Sequence, residues 1–63
     1  MTEVKFYYQK ANGIWYVGFK KFTDVQKAIK FIYKCVHSKK MEYSGDVTCD
    51  DPEDLEVINS KNF

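Results

Sequence analysis

Apolar and polar residues alternate in two runs near the start of the chain, residues 4–9 and 14–19. Val4, Phe6 and Tyr8 stand against Lys5, Tyr7 and Gln9, and residues 14–19 alternate in the same way. Period-two patterning is the signature of strands with one face on a core. Between the two runs sits Asn12-Gly13, the dipeptide that suits a two-residue type I′ turn, because both central positions there need positive φ. Such a loop sets Ala11 opposite Ile14, Lys10 opposite Trp15, Tyr8 opposite Val17 and Phe6 opposite Phe19. The hairpin then has a core face of Val4, Phe6, Tyr8, Trp15, Val17 and Phe19. Its open face carries Lys5, Tyr7, Gln9, Ile14, Tyr16, Gly18 and Lys20, with Tyr7 and Tyr16 as diagonal neighbours among lysines.

The period then changes to that of a helix. Thr23 is expected as N-cap, with Gln26 completing a capping box and Asp24 in the first turn favouring the dipole. Val25, Ala28, Ile29, Ile32 and Val36 recur at helical spacing as the buried stripe. Phe31 and Cys35 widen it on one side and Tyr33 on the other, to an arc of roughly 200°, wider than one sheet face needs. Gln26, Lys27, Lys30, Lys34 and His37 form the polar face, and Ser38-Lys39-Lys40 ends the helix.

Alternation returns in a third strand. Met41, Tyr43, Val47 and Cys49 share one parity, and Glu42, Ser44, Asp46, Thr48 and Asp50 the other. Ser44-Gly45 reads as a bulge or as a turn splitting the strand. Asp51-Pro52 has the form of a helix start, an N-cap followed by proline at the first helical position. A short helical turn would dock Leu55 and Ile58 on the core; an edge strand over 55–58 is the alternative. The expected fold is a small α+β domain spanning residues 1–63. It has an antiparallel sheet with one helix packed on one face, in the order ββαβ, plus a short C-terminal element.

Composition narrows the function classes. A chain of 63 residues has no room for a second domain or a large catalytic cleft. No apolar run approaches the roughly 20 residues of a membrane span, and the first residues do not form a signal peptide. With only Cys35 and Cys49, a disulfide framework is not indicated. These features predict a cytoplasmic chain with reduced thiols, and no membrane partner.

The net charge of +1 hides a split. Residues 1–41 hold nine lysines against Glu3 and Asp24, and residues 42–63 hold Lys61 against seven acids. The two halves either neutralise each other or present one pole to a partner. All basic residues are lysine, which lacks the planar fork that reads guanine edges, so sequence-specific DNA reading is not expected.

No catalytic residue, metal site or cofactor is expected. Cys35, His37 and Cys49 lack metal-ligand spacing. As a nucleophile and base, Cys35 and His37 would point to different helix faces. Gly13, Gly18 and Gly45 are isolated, so there is no phosphate loop. What remains is binding. An aromatic sheet face suits a protein partner, with Tyr7 and Tyr16 as anchors. The acidic residues Asp50, Asp51, Glu53 and Asp54 are a second candidate protein contact, able to present a nucleic-acid-like charge to a basic site. Lys5, Tyr7, Tyr16 and Lys20 are the alternative set, for stacking and neutralising single-stranded nucleic acid. Surplus apolar surface on the helix, with Phe63, makes a homodimer or a self-assembling structural subunit the third reading.

The order of hairpin, capped helix and returning strand, with Phe22-Thr23-Asp24-Val25-Gln26-Lys27-Ala28-Ile29 as the helix start, resembles small phage-encoded host-takeover proteins. These include antitoxins, anti-CRISPR proteins and inhibitors of RNA polymerase. That resemblance implies a non-enzymatic inhibitor or adaptor in a host cytoplasm. Ile14-Trp15-Tyr16-Val17 followed by Phe22-Thr23 is also similar to the arm-binding domain of tyrosine recombinases, although that family has a further strand before its helix. Neither resemblance assigns a functional residue.

Overall fold

The computed structural model describes residues 1–63 as five elements. They are β1 (Thr2–Gln9), β2 (Trp15–Phe22), α1 (Val25–Val36), β3 (Met41–Cys49) and α2 (Pro52–Asn59). The strands form one antiparallel sheet in the order β2-β1-β3. The expected α+β class and ββαβ order are both present, and the C-terminal element is an eight-residue helix.

The hairpin register differs from expectation by one residue. Gln9 lies opposite Trp15, Tyr8 opposite Tyr16, Phe6 opposite Gly18 and Thr2 opposite Phe22. The cause is the loop. Gly13 has φ 81°, but no non-glycine residue has positive φ, so Asn12 cannot complete a type I′ turn. Residues 11–13 instead form a three-residue loop. The Gly13 N–H donates to the Lys10 carbonyl (2.9 Å), and the Lys10 N–H donates to the Ile14 carbonyl (3.2 Å). Asn12 Oδ1 accepts the Ile14 N–H at 2.9 Å. One extra loop residue sends every side chain of β2 to the opposite face. Trp15, Val17 and Phe19 therefore leave the expected core face, and Tyr16, Gly18, Lys20 and Phe22 take their places beside Thr2, Val4, Phe6 and Tyr8.

Gly18 makes this register fit. The Phe6 ring lies across it, and a Cβ there would sit 2.7 Å from Phe6 Cζ. Phe6 in turn meets Phe31 of α1 edge-on at 4.9 Å between centroids, and Phe31 lies 5.4 Å from Phe22.

Helix α1 crosses all three strands. Its N-cap is Asp24 rather than Thr23, with Asp24 Oδ1 accepting the Gln26 N–H at 2.9 Å. Thr23 lies between the end of β2 at Phe22 and this cap, outside both elements. Ala28, Ile32 and Cys35 are buried, while Val36 and Tyr33 are exposed. The buried stripe is thus rotated toward the Phe31–Cys35 side, because the sheet offers its aromatic row there.

In β3 the pairing shifts between Val4–Val47 and Phe6–Tyr43, leaving Ser44, Gly45 and Asp46 opposite Lys5. This is the bulge form of the two readings. Gly45 takes φ 89°, and Ser44 Oγ donates to the Lys5 carbonyl at 2.6 Å. The excess is two residues, so Tyr43 and Val47 stay on one face. Helix α2 starts as expected at Asp51-Pro52, with Asp51 Oδ1 accepting the Glu53 N–H at 2.9 Å. It packs on β3 and α1. Its Ile58 joins Val4, Ala28 and Ile32 in a core whose partly buried rim includes Phe22, Val25, Ile29, Tyr43 and Phe63. Both helices therefore lie on one side of the sheet, and only six residues are fully buried.

Candidate functional site

The side of the sheet away from the helices is uncovered. It is built from alternate residues of three strands: Glu3, Lys5, Tyr7 and Gln9 on β1, Trp15, Val17, Phe19 and Lys21 on β2, and Glu42 and Thr48 on β3. Its apolar residues are concentrated on β2. Trp15 is 45% exposed, Val17 49% and Phe19 62%, beside Tyr7 at 36%. Ile14, in the loop end of the hairpin, is also exposed. These exposed apolar side chains are neighbours on one face rather than scattered singly.

The expected aromatic pair is divided. Tyr7 is on the open face, but Tyr16 is on the helix side, stacked on Tyr8 at 5.8 Å between centroids. Lys10 Nζ lies 4.6 Å from the Tyr16 ring centroid, and Asn12 Nδ2 donates to Tyr16 Oη at 3.2 Å. Tyr16 is thereby engaged in holding the hairpin tip. Lys20 is also on the helix side, with Nζ 5.0 Å from the Phe31 centroid. Of the set Lys5, Tyr7, Tyr16 and Lys20, only Lys5 and Tyr7 share the open face. Lys5 there approaches Asp46 at 3.9 Å, an exposed pair of small energetic weight.

The acidic set has local structural roles. Asp50 meets the Met1 amino group at 3.0 Å, and this contact raises the pKa of that amine. Asp51 caps α2, while Glu53 and Asp54 lie in its first turn, where negative charge favours the helix dipole. The two charged halves of the chain touch through close ion pairs only at Met1–Asp50 and Lys5–Asp46. The split is not reproduced as two separate edges, since Lys27, Lys30 and Lys34 lie on α1 and Lys39 and Lys40 directly precede β3. Lys20 and Lys21 lie on the β2 edge, and Glu42, Asp46 and Asp50 on or just beyond the β3 edge.

A groove of about 400 Å³ opens near the C-terminal end of α1, lined by Trp15, Cys35, Val36, Met41, Glu42 and Tyr43 among others. Burial pushes the Cys35 thiol pKa up, and no hydrogen bond links Cys35 to His37, whose ring instead lies against Tyr33 at 4.3 Å. Cys49 accepts a hydrogen bond from Thr2 Oγ1 at 3.4 Å, and both cysteines are free. No three His, Cys, Asp or Glu side chains converge as metal ligands. No helix is long and apolar enough to cross a membrane.

The alternation predicts Trp15, Val17 and Phe19 in the core, so their exposure is a finding of the structure. One signal points to it: Asn-Gly also suits a three-residue loop with glycine in the left-handed position. Gly18 does not discriminate, since an aromatic residue stands opposite it in either register, Tyr7 in the expected one and Phe6 in the observed one. Compared with protein-family models, curated proteins and solved structures, the chain matches none.

Proposed function

We propose that this chain is a non-enzymatic protein-binding module, an inhibitor or adaptor, whose contact surface is the open sheet face. The observation that carries this reading is the row Trp15, Val17 and Phe19, exposed beside Tyr7 on a face that neither helix covers. Tryptophan, tyrosine and phenylalanine are the residues that most often anchor protein interfaces. Two free thiols fit a reducing compartment, so the partner is sought in a cytoplasm, the host's for a phage-encoded chain.

Nucleic acid is the weaker reading. Its proposed lysines and tyrosines are divided between two faces, and Glu3, Glu42 and Asp46 bring negative charge to the face that keeps Tyr7. The acidic contact reading is likewise weakened by the structural work of Asp50 and Asp51.

The test is affinity capture from native lysate, with and without nuclease. Wild type is compared with a Tyr7→Ala/Phe19→Ala variant and with Asp50, Asp51, Glu53 and Asp54 changed to their amides. A stoichiometric protein that survives nuclease and is lost with the aromatic variant supports the reading. The single tryptophan lies on the proposed surface, so its emission should shift on titration with that partner. Recovery that collapses on nuclease, with Trp15 quenched by oligonucleotide at low salt, would favour nucleic acid instead.

A further inference from the structure

The β2 strand is an edge strand, and its main chain has a fixed alternation. Lys10 and Ile14 are a hydrogen-bonded pair. Counting inward by twos, Tyr16, Gly18, Lys20 and Phe22 turn their N–H and C=O groups toward β1. Trp15, Val17, Phe19 and Lys21 turn theirs outward, to the free edge. Native edge strands are usually blunted by bulges, proline or inward charges. The opposite edge, β3, has such a device in its Ser44–Asp46 bulge. β2 is eight residues long, without proline, bulge or acid; its charges are Lys20, turned to the helix side, and Lys21, both near its C-terminal end, which leaves Trp15–Phe19 unblunted.

We propose that β2 is a dimer seam, with the free edges of two copies pairing antiparallel about a twofold axis at Gly18. The parity of the outward groups admits only registers that set odd residues against odd ones. Centring on Gly18 forms four hydrogen-bonded residue pairs, or about eight main-chain hydrogen bonds. Sliding by two residues in either direction loses one pair and leaves Trp15 or Lys21 without an opposite. The Gly18 register is also chemically self-complementary. Trp15 lies opposite Lys21 of the second copy, Tyr16 opposite Lys20, and Val17 opposite Phe19. Lys21 there meets the exposed Trp15 ring, an arrangement that attracts through the ring quadrupole, while Lys20 and Tyr16 keep their ring and lysine partners within each copy. The two Lys21 residues stand six strand positions apart, about 20 Å at the rise of a β-strand. That exceeds the screening length of about 8 Å at physiological salt. Both pairs of helices fall on one side of the resulting six-stranded sheet. On the other side, Trp15, Val17 and Phe19 of the two copies merge into one apolar platform. The inference does not rest on the protein-binding reading, and it is tested on the isolated chain.

Sedimentation equilibrium of the pure protein should give a concentration-dependent species of about 15 kDa, twice the 7.5 kDa chain. Val17→Pro removes an outward N–H that bonds nothing within the monomer and should weaken dimerisation by at least about tenfold. Val17→Ala keeps that N–H and should dimerise nearly as wild type does. Phe19→Lys places two like charges on the diagonal across the axis and should also weaken the dimer. It changes an exposed side chain, so it keeps the test decisive if the proline variant fails to fold. Wild type that is monomeric at hundreds of micromolar overturns the proposal. So does a dimer whose affinity is unchanged in Phe19→Lys and in a folded Val17→Pro variant.

Discussion

Substituting Gly18 by alanine tests the register on which the open face depends. In the observed register the new Cβ would lie 2.7 Å from Phe6 Cζ and 3.1 and 3.2 Å from Cε1 and Cε2. Carbon atoms in good contact are about 3.5–4.0 Å apart, so the ring must retreat by close to an ångström. Its retreat is opposed by Phe31, edge-on at 4.9 Å, and by Tyr8 at 5.8 Å. Overpacking of this kind costs about 1–3 kcal/mol. Replacing glycine in a strand returns about 0.5–1 kcal/mol of backbone entropy. The expected net effect is a destabilisation of about 1–2 kcal/mol, or a fall in Tm of about 5–15 °C for a chain of this size. Thermal and urea unfolding by circular dichroism, at one protein concentration, measures it. The register expected from a two-residue loop puts Gly18 on the open face, where alanine would be neutral or stabilising. A neutral or raised Tm therefore refutes the packing of Phe6 on Gly18. Coupling supplies a second check: Phe6→Leu should relieve part of the alanine penalty in the double variant, since residues in contact are not additive.

The cap assignment predicts that Asp24→Ala lowers stability by about 1 kcal/mol, while Thr23→Ala has a smaller effect. Equal losses in parallel urea melts would contradict the Asp24 cap. Ile58→Ala should cost about 2–5 kcal/mol, a large part of the roughly 3–9 kcal/mol available to a chain of this length. A near-native melt for that variant would mean that α2 is not part of the cooperative unit. Burial raises the folded-state pKa of Cys35 from 9.0 and of Tyr43 from 10.0. Above these ordinary values the unfolded chain loses protons that the folded chain retains. The stabilisation is therefore complete below about pH 9 and declines as pH rises through the raised folded values. Urea midpoints that stay flat or climb from pH 8.5 to 10.5 would contradict this. In native protein, Cys35 should also resist alkylation at neutral pH, and unfolding should release it.

Much of the fold was legible in the residue pattern because it rests on local physics. Asp51-Pro52 starts a helix because a carboxylate can cap free N–H groups and proline loses nothing at the first helical position. Alternation marked all three strands, and its unchanged parity across Ser44-Gly45 matched a bulge that adds two residues. The helical period marked α1, although its cap shifted by one residue and its buried stripe rotated toward Phe31 and Cys35. The hairpin register was not local in this sense. Asn-Gly serves a two-residue or a three-residue loop, and both leave equally regular strands. The choice falls to packing at a distance: Phe6 needs the space at Gly18, and Phe31 of α1 closes over Phe6. That contact joins residues from three elements, so alternation within any one strand cannot report it. Because side chains in a strand have period two, the choice also decided which residues reach solvent. The sequence alone determined that aromatic residues would line both faces of a small antiparallel sheet. Only the tertiary structure decided that Trp15, Val17 and Phe19 lie outside and Tyr16 inside, since a one-residue difference in a loop inverts an entire strand.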